Sequence, residues 1–143
     1  MSVQGIRFDE VKVGDALPPL VIPVTVELVV AGAIATRDFF PGHHDLAAAQ
    51  KLGSQHIFMN ILTTNGLVER YVGAWAGPEA LIGSVKIRLG APNYPGDTMT
   101  MHGEVSEKDE AAQTLSVAMR GVNSMGDHVS GTVKLLFAQG ALA

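Results

Sequence analysis

The 143-residue sequence contains no cysteine, and only 17% of its residues are charged. The absence of cysteine excludes thiol catalysis, a disulfide scaffold and cysteine-ligated zinc, and it fits a reducing compartment, so we expect a cytoplasmic protein. The ten lysines and arginines are scattered singly and the net charge is −4, so the sequence shows no electrostatic footprint for nucleic acid. No basic segment precedes an early apolar stretch, and we therefore expect no secretory signal.

Long uninterrupted hydrophobic runs and common nucleotide or nucleophile motifs are also lacking. The longest apolar run, residues 17–35, approaches membrane-spanning length, but it contains three prolines and Glu27, so we expect no transmembrane helix. The sequence has no Gly-x-Ser-x-Gly elbow, no phosphate-binding glycine loop and no dinucleotide fingerprint. These absences remove the common hydrolase, kinase and dehydrogenase classes.

Apolar residues, in contrast, are abundant. They make up 47% of the chain, and the mean hydropathy is +0.23, which is high for a chain of this length. The length predicts one domain covering residues 1–143, large enough to bury a core without a metal or disulfide. The apolar surplus indicates either a large core alone or, in addition, a subunit interface or an apolar ligand tunnel.

The order of predicted elements is typical of an α+β fold. Residues 20–29 are rich in Val and Ile and predict a strand. Apolar spacing and turn residues predict helices over 30–37, 46–52 and 56–75, the second capped by Asp45 and the third ended by Gly77-Pro78 and buried on most sides. Strands are predicted over 81–90, 97–106, 113–123 and 128–138. An antiparallel sheet wrapped around the long helix satisfies this order.

Asp38 and His43 are the first candidates for chemistry. They lie five residues apart and flank a Phe-Phe-Pro-Gly turn, which can bring a carboxylate and an imidazole to one water molecule. Such a pair can remove a proton from water and return one to the product, which is general acid–base catalysis. Asp and His are also common in loops for solubility or capping, so the spacing alone leaves both interpretations open.

Two further parts of the sequence are candidates for binding, one for a metal ion and one for an oxyanion. The cluster His43-His44-Asp45 has metal-ligating residue types but none of the spacings of known metal motifs, so we expect no metal. The start of the long helix offers backbone N–H groups that can hold a developing oxyanion, with Asn60 as the candidate donor, unless these groups are simply capped or hydrated. The remaining histidines, His56, His102 and His128, are interpreted as structural or surface residues.

The segment 38–45, Asp-Phe-Phe-Pro-Gly-His-His-Asp, resembles the motif Asp-x-Asn-Pro-x-His-x-Asp of the MaoC-like, (R)-specific enoyl-CoA hydratase family. The matching positions are Asp38, Pro41, His43 and Asp45. The resemblance continues through Ala47-Ala48-Ala49, the stretch 57–67 and Tyr94-Pro95-Gly96-Asp97-Thr98. It implies a hot-dog fold, catalytic roles for Asp38 and His43, supporting roles for Pro41 and Asp45, and a CoA thioester substrate without a further cofactor.

A narrower likeness is to bacterial steroid side-chain enoyl-CoA hydratases, and stretches such as Ile57-Phe58-Met59-Asn60-Ile61-Leu62-Thr63 carry it. In that group the small subunit supplies the Asp/His pair and joins a second MaoC-type subunit in a heterotetramer. The resemblance therefore implies an acyl-CoA substrate and either a homodimer or such a heterotetramer. Two departures from the general family pattern, Phe40 in place of Asn and Asn60 in place of Gly, indicate an apolar, narrowed site and a bulky acyl group.

Other activities remain open from the sequence. A hydroxyacyl dehydratase of the related type would need a histidine where Phe39 stands, and a thioesterase would need a carboxylate on the central helix, where Glu69 lies near the wrong end. A different class is a non-catalytic subunit that binds acyl-CoA or supports a partner. The expected reaction is the hydration of a trans-2-enoyl-CoA to a 3-hydroxyacyl-CoA.

Overall fold

The computed structural model describes residues 5–137, which form one five-stranded antiparallel sheet and three α-helices. The strands lie in the order β1-β3-β4-β5-β2. Helix α3 packs against β1, β2 and β5 and forms the centre of the fold. The bounds are β1 Ala16–Pro23, α1 Val26–Ala35, α2 Leu46–Lys51, α3 Ile61–Ala76, β2 Ala80–Leu89, β3 Thr98–Asp109, β4 Thr114–Asn123 and β5 Gly126–Phe137.

The four strands after the long helix lie where the sequence pattern predicts them, to within a few residues at each end. The last residue of the fourth predicted strand, position 138, lies outside the described residues. The two-residue alternation of buried and exposed positions is clearest in β4, the central strand of the sheet, and in its neighbour β5. Their inward side chains meet α3 in a continuous core. Fully buried members include Val68, Val72, Met99, Met101, Leu115, Val117, Val133 and Leu135.

The strand predicted over residues 20–29 is wrong in its second half. Strand β1 ends at Pro23, and α1 begins at Val26 rather than at residue 30. The cause is Thr25, whose hydroxyl accepts the backbone N–H of Leu28 at 3.0 Å and caps the helix. The Val and Ile content therefore predicts a strand that is too long. A helix-capping residue at the right place overrides the weak strand propensity of the β-branched residues that follow it.

The long helix begins five residues later than its apolar spacing predicts. Residues 57–60 lie outside any helix, and the backbone is extended at Asn60, the N-cap after which α3 starts at Ile61. Two backbone hydrogen bonds fix this segment, from Phe58 N–H to Gly42 O at 3.1 Å and from Met59 N–H to Asn93 O at 3.1 Å. The predicted end at Gly77 is confirmed, because Gly77 adopts φ 84°, which favours glycine.

The expectation that this helix is buried on most sides is also wrong for the single chain. One face of α3 is buried, but Ile61 and Leu62 at its first turn are about half exposed, at 52% and 51%. Both lie beside Asn60, so exposed apolar surface surrounds the start of the helix.

No helix within residues 5–137 has the length and hydropathy needed to cross a membrane.

His128 on β5 is buried and joins the sheet to the long helix. Its Nδ1 lies 2.6 Å from the Ala91 carbonyl oxygen, and its Nε2 lies 2.8 Å from the Thr64 hydroxyl. Since a carbonyl only accepts, Nδ1 carries the proton and Nε2 accepts from Thr64 in the neutral ring. Burial lowers the pKa of His128 despite the opposing effect of the Ala91 hydrogen bond. The structural role that we expect for this residue agrees with these contacts.

The depressed pKa of His128 predicts an acid-sensitive stability. The unfolded chain binds a proton at this ring near the ordinary value of about 6.5, whereas the folded chain resists it. Unfolding therefore becomes easier as the pH falls below about 6.5, and the contribution of the ring is constant above that value. We expect His128→Asn to show a weaker loss of unfolding free energy between pH 7 and pH 5 than the unmodified protein.

Denaturant unfolding at a series of pH values measures this difference. His102→Asn is the matched control, because His102 lies on β3 with an exposed side chain. Its pH dependence should equal that of the unmodified protein. An identical slope for the His128→Asn variant would contradict the account.

Candidate active site at the start of the long helix

The Asp38–His43 segment is folded by local hydrogen bonds. After α1 ends, Arg37 adopts φ 55° and the Asp38 N–H donates to the Ala33 carbonyl at 2.9 Å, which turns the chain away from the helix axis. A short 3₁₀ turn, Pro41–His43, follows, and its His43 N–H donates to the Phe40 carbonyl at 3.1 Å. The proline and the tight turn thus bring His43 back toward Asp38.

The structure brings these two predicted residues together. His43 Nε2 lies 3.2 Å from Asp38 Oδ2, and the side chains are 7% and 28% exposed. The histidine is therefore almost fully enclosed, whereas the carboxylate still reaches the surface. A buried imidazole beside a half-open carboxylate is suited to binding a small polar reactant at the carboxylate side.

His43 is held in one tautomer by the non-helical segment before α3. Its Nδ1 lies 2.6 Å from the Phe58 carbonyl oxygen, which can only accept. Nδ1 therefore carries the proton, and in the neutral ring Nε2 presents a lone pair toward Asp38. A water molecule beside this contact can donate one O–H group to each of the two atoms.

Asp38 is held by two donors. Its Oδ2 accepts from Asn60 Nδ2 at 3.1 Å and its Oδ1 from the Phe40 N–H at 3.3 Å. These bonds stabilise the ionised form, and the Asn60 bond is the largest cause of the lowered pKa of Asp38. The partial desolvation of the carboxylate opposes this effect, while His43 adds to it. Asp38 is consequently an ionised base at neutral pH.

Aromatic rings line the other side of the pair. The His43 ring contacts Phe58 edge to face at a centroid distance of 4.8 Å and Phe40 at 5.4 Å. Gly42 makes this packing possible, since a Cβ there would lie 2.7 Å from the Phe40 ring and 2.9 Å from the Phe58 ring. The departure from the family motif at Phe40 thus makes the site apolar, as the sequence predicts.

The oxyanion candidate lies at the N-cap of α3. Asn60 is 2% exposed, and its side-chain Oδ1 accepts the Thr63 N–H at 3.0 Å. Its own backbone N–H donates no hydrogen bond to any group within residues 5–137, and it lies where the helix dipole is positive. A free N–H at this position can hold a developing negative charge on an oxygen.

The two supporting residues of the motif have structural contacts. The Pro41 carbonyl accepts the N–H groups of His44 and Asp45, at 3.1 and 2.8 Å. Asp45 caps α2, as predicted, with its Oδ1 accepting the Ala48 N–H at 3.0 Å. Neither side chain forms a hydrogen bond or ion pair with Asp38 or His43. Within residues 5–137, no three His, Asp or Glu side chains converge as a set of metal ligands.

The side chain of Asn60 is the site feature that sequence reasoning missed. The sequence pattern pointed to its backbone N–H and to steric narrowing, whereas the structure gives it a hydrogen bond to Asp38. Thr36 and Thr63, which bind the same amide, were also missed. The available signal was Asn as a preferred N-cap, which would have located both the helix start and the amide.

Fold and site together define a class of protein. A five-stranded antiparallel sheet around one long helix, with an Asp/His pair beside the start of that helix, is a hot-dog protein equipped for acid–base chemistry. The family model described as "MaoC like domain" matches residues 12–125, and the chain belongs to the MaoC-like family. The family predicted from the sequence is thereby confirmed.

Individual relatives are consistent with this assignment. The chain is 49% identical over 123 residues to the 3-oxo-4,17-pregnadiene-20-carboxyl-CoA hydratase beta subunit of Mycobacterium tuberculosis, covering 86% of this chain and 94% of that protein. It matches a chain of the ChsH1-ChsH2 complex of the same organism with a TM-score of 0.86 and 46% identity, covering 89% and 98% of the two chains.

A more distant structure extends the likeness of the fold. The R-hydratase PhaJ1 from Pseudomonas aeruginosa matches with a TM-score of 0.85 at 21% identity, covering 97% of this chain and 92% of that one. At that identity the match concerns the fold alone. Together with the sheet order, these structures confirm the predicted hot-dog fold.

Proposed function

We propose that the chain is an enoyl-CoA hydratase that adds water to a trans-2-enoyl-CoA and yields a 3-hydroxyacyl-CoA. The 3.2 Å approach of His43 Nε2 to Asp38 Oδ2 is the observation that carries the proposal. The hydratase class has the support of the family match and of a 49% identical relative that is itself named a hydratase subunit. The roles of the individual residues rest on geometry and stay predictions.

The Asp38–His43 pair activates the water in this mechanism. The water donates one hydrogen bond to Asp38 Oδ2 and one to His43 Nε2, whose lone pair is directed by the Nδ1 bond to Phe58. As the water oxygen bonds to the β-carbon, one of its protons passes to the pair, and a proton is delivered to the α-carbon. The sum is the addition of one water molecule across the double bond.

The thioester oxygen gains negative charge while the β-carbon is attacked. The free backbone N–H of Asn60 at the positive end of α3 is placed to stabilise that charge. Because this donor is fixed by the helix cap, it needs no reorganisation during the reaction. The CoA thioester is the substrate, and the reaction as written requires no further cofactor.

A bulky apolar acyl group suits the surroundings of the pair. Phe40, Ile61 and Leu62 leave apolar surface 45–52% exposed beside the start of α3. Burial of such surface against a ligand contributes about 25 cal/mol per Å². The M. tuberculosis relative is named for a pregnadiene carboxyl-CoA, which is a steroid-type acyl group. We therefore propose a steroid-type acyl chain as the substrate of this protein.

The functional unit in this proposal contains a second MaoC-type subunit. Strand β2 is an edge strand within residues 5–137, and it exposes Leu81 at 68% and Leu89 at 40%. An unpaired edge with apolar side chains favours pairing with another sheet. The matched M. tuberculosis structure is a complex of two named components. A homodimer or heterotetramer with sheets joined side by side accounts for the apolar surplus of the sequence.

The alternative activities have less support in the structure. Glu69 on α3 is exposed and accepts from the Asn65 amide at 2.6 Å, so it is not directed into the Asp38–His43 site as a thioesterase carboxylate would be. Phe39, where a dehydratase would carry its histidine, is 68% exposed. A purely supporting subunit has no use for a buried histidine aligned on a carboxylate. The single domain over residues 1–143 and the cytoplasmic location stay predictions.

Substitution of either member of the pair should abolish most of the hydration rate. We expect Asp38→Asn and His43→Ala each to lower kcat by about two to four orders of magnitude, since general acid–base catalysis is lost. Consumption of the conjugated enoyl thioester measures the rate, with the chain assayed alone and together with its second subunit.

His44→Ala is the matched control for these variants. His44 is exposed, and its side chain forms no hydrogen bond or ion pair with Asp38 or His43. Its rate should stay close to that of the unmodified enzyme. Near-normal turnover in the Asp38→Asn or His43→Ala variant would refute the proposed roles, and release of free CoA thiol in place of hydration would indicate a thioesterase.

The exposed edge of β2 predicts an oligomer in solution. We expect light scattering to give the mass of at least a dimer, or of a heterotetramer when the second subunit is co-expressed. A charge within the apolar surface, as in Leu81→Glu, should weaken that association. The carboxylate would have to lose its hydrating water when the two subunits pair, and this loss costs free energy. A stable monomer of the unmodified chain, in the presence as well as the absence of the second subunit, would contradict this part of the proposal.

A further inference from the structure

The side-chain amide of Asn60 is fixed in one orientation. Its Oδ1 accepts from the Thr63 N–H at 3.0 Å and from the Thr63 hydroxyl at 2.5 Å. Both of these groups are donors, so the oxygen of the amide must face α3. The Nδ2 group then faces the opposite way and donates to Thr36 Oγ1 at 2.8 Å and to Asp38 Oδ2 at 3.1 Å.

The neighbours of the amide are themselves held in place. The Thr36 hydroxyl donates to the Gly32 carbonyl at 2.8 Å, so its oxygen is left to accept from Asn60. Thr63 packs directly on Gly32, where a Cβ would clash with the threonine side chain. Glycine at position 32 therefore lets α1 approach α3 closely enough for one amide to join both helices to Asp38.

We propose that the Asn60 side chain positions the Asp38 carboxylate for catalysis, a role that rests on the proposed function of Asp38 as part of the base. The two hydrogens of Nδ2 are used by Thr36 and Asp38, so the donor cannot swing away from the carboxylate without losing both bonds. Asn60 thereby links the helix cap to the reactive carboxylate, while its backbone N–H remains free for the substrate oxygen.

The position of this amide compensates for Phe40. Where the family motif has an Asn side chain near the pair, this chain offers an aromatic ring, and residue 40 contributes only its backbone N–H to Asp38 at 3.3 Å. Without Asn60 the carboxylate, which is 28% exposed, would keep only the long Phe40 bond and the His43 ring as partners. The second departure from the motif, Asn60 for Gly, thus places an amide donor on Asp38 where residue 40 offers only its backbone.

Few charged groups compete with this interaction. His43 is the titratable group that faces Asp38 from the 3₁₀ turn, and α3 contributes the neutral Asn60. The Thr36 hydroxyl lies on the other side of the amide. A change at position 60 therefore acts on Asp38 directly, and the response of His43 is the one coupled titration that has to be followed.

Two variants separate the effect of Asn60 on Asp38 from its role as the N-cap of α3. Ser and Asp both cap helices well, so Asn60→Ser and Asn60→Asp retain the acceptor for the Thr63 N–H and the backbone N–H of residue 60. Ser removes the amide donor, and Asp replaces it with a carboxylate that repels Asp38. We expect the acidic limb of the kcat/KM profile to move to higher pH in both variants, further in Asn60→Asp, with kcat lowered on the order of tenfold by misplacement.

The same shift is measured without substrate by carbon-13 NMR titration of the Asp38 and His43 side chains in the resting assembly. The pKa of Asp38 should rise in the order unmodified, Asn60→Ser, Asn60→Asp. Thr25→Ala, which removes the cap of α1 far from the pair, is the control and should lower Tm without moving either titration.

The outcomes distinguish the positioning role of Asn60 from the catalytic role of Asp38. An unchanged Asp38 titration in Asn60→Ser and Asn60→Asp, with both variants folded, would overturn the positioning role even if Asp38→Asn is inactive. A shifted titration in these variants together with full activity of Asp38→Asn would retain the interaction and refute the catalytic role of Asp38. The shifted titration with an inactive Asp38→Asn variant is the result that we expect.

Discussion

The non-helical segment before the long helix is the constraint on which the site depends. Phe58 pairs with the 3₁₀ turn through both of its backbone groups, donating to Gly42 and accepting from the His43 ring. On its other side, Met59 donates to the carbonyl of Asn93, a fully buried residue. The segment is thus held between the turn and the sheet. The chain enters α3 at Asn60, whose side-chain amide donates to the Asp38 carboxylate.

The buried residue behind this segment is itself well satisfied. Asn93 accepts from the Asn123 amide at 2.9 Å and directs its own amide toward the sulfur of Met99 at 3.2 Å. A buried amide without partners would be costly, and this one is fixed by β3 and β4 instead. The rigidity of the sheet is therefore transmitted to the segment and to the start of α3.

An apolar site creates an electrostatic requirement. Phe40 and Phe58 exclude water from one side of the pair, which strengthens every remaining interaction but penalises an isolated charge. The carboxylate stays charged because an oriented amide and a backbone N–H face it. A carbonyl fixes a proton on Nδ1 of the histidine, so that Nε2 is the nitrogen that faces the carboxylate. In the proposed reaction, this pair receives a proton from water and its apolar wall contacts the acyl chain.

The sequence was sufficient for the fold and for the pair, and insufficient for the groups that orient it. The strands after Gly77 follow local alternation and turn residues, and Asp38 and His43 are joined by a short turn, so local signals predict both. The error at the start of α3 arose because Ile57 and Phe58 continue a helical apolar spacing. Their non-helical conformation depends on Gly42 and Asn93, which are distant in sequence.

The contacts of Asn60 were hidden for the same reason. Thr36 and Asp38 reach it across more than 20 residues, and only the packing of α1 on α3 at Gly32 brings them together. Pattern reasoning recognised an unusual residue at the helix start and assigned it a steric effect. Its hydrogen-bonding role required the tertiary structure.

The central claim is that Asp38 and His43 hold the attacking water while the Asn60 N–H receives the thioester oxygen. A crystal structure of the active assembly, with Asp38→Asn and a bound trans-2-enoyl-CoA, tests it most directly. We expect the thioester oxygen within hydrogen-bond distance of the Asn60 N–H, and a water facing the β-carbon within hydrogen-bond distance of both residue 38 and His43 Nε2. An acyl group bound with its β-carbon remote from the pair, or a thioester oxygen directed away from α3, would contradict it.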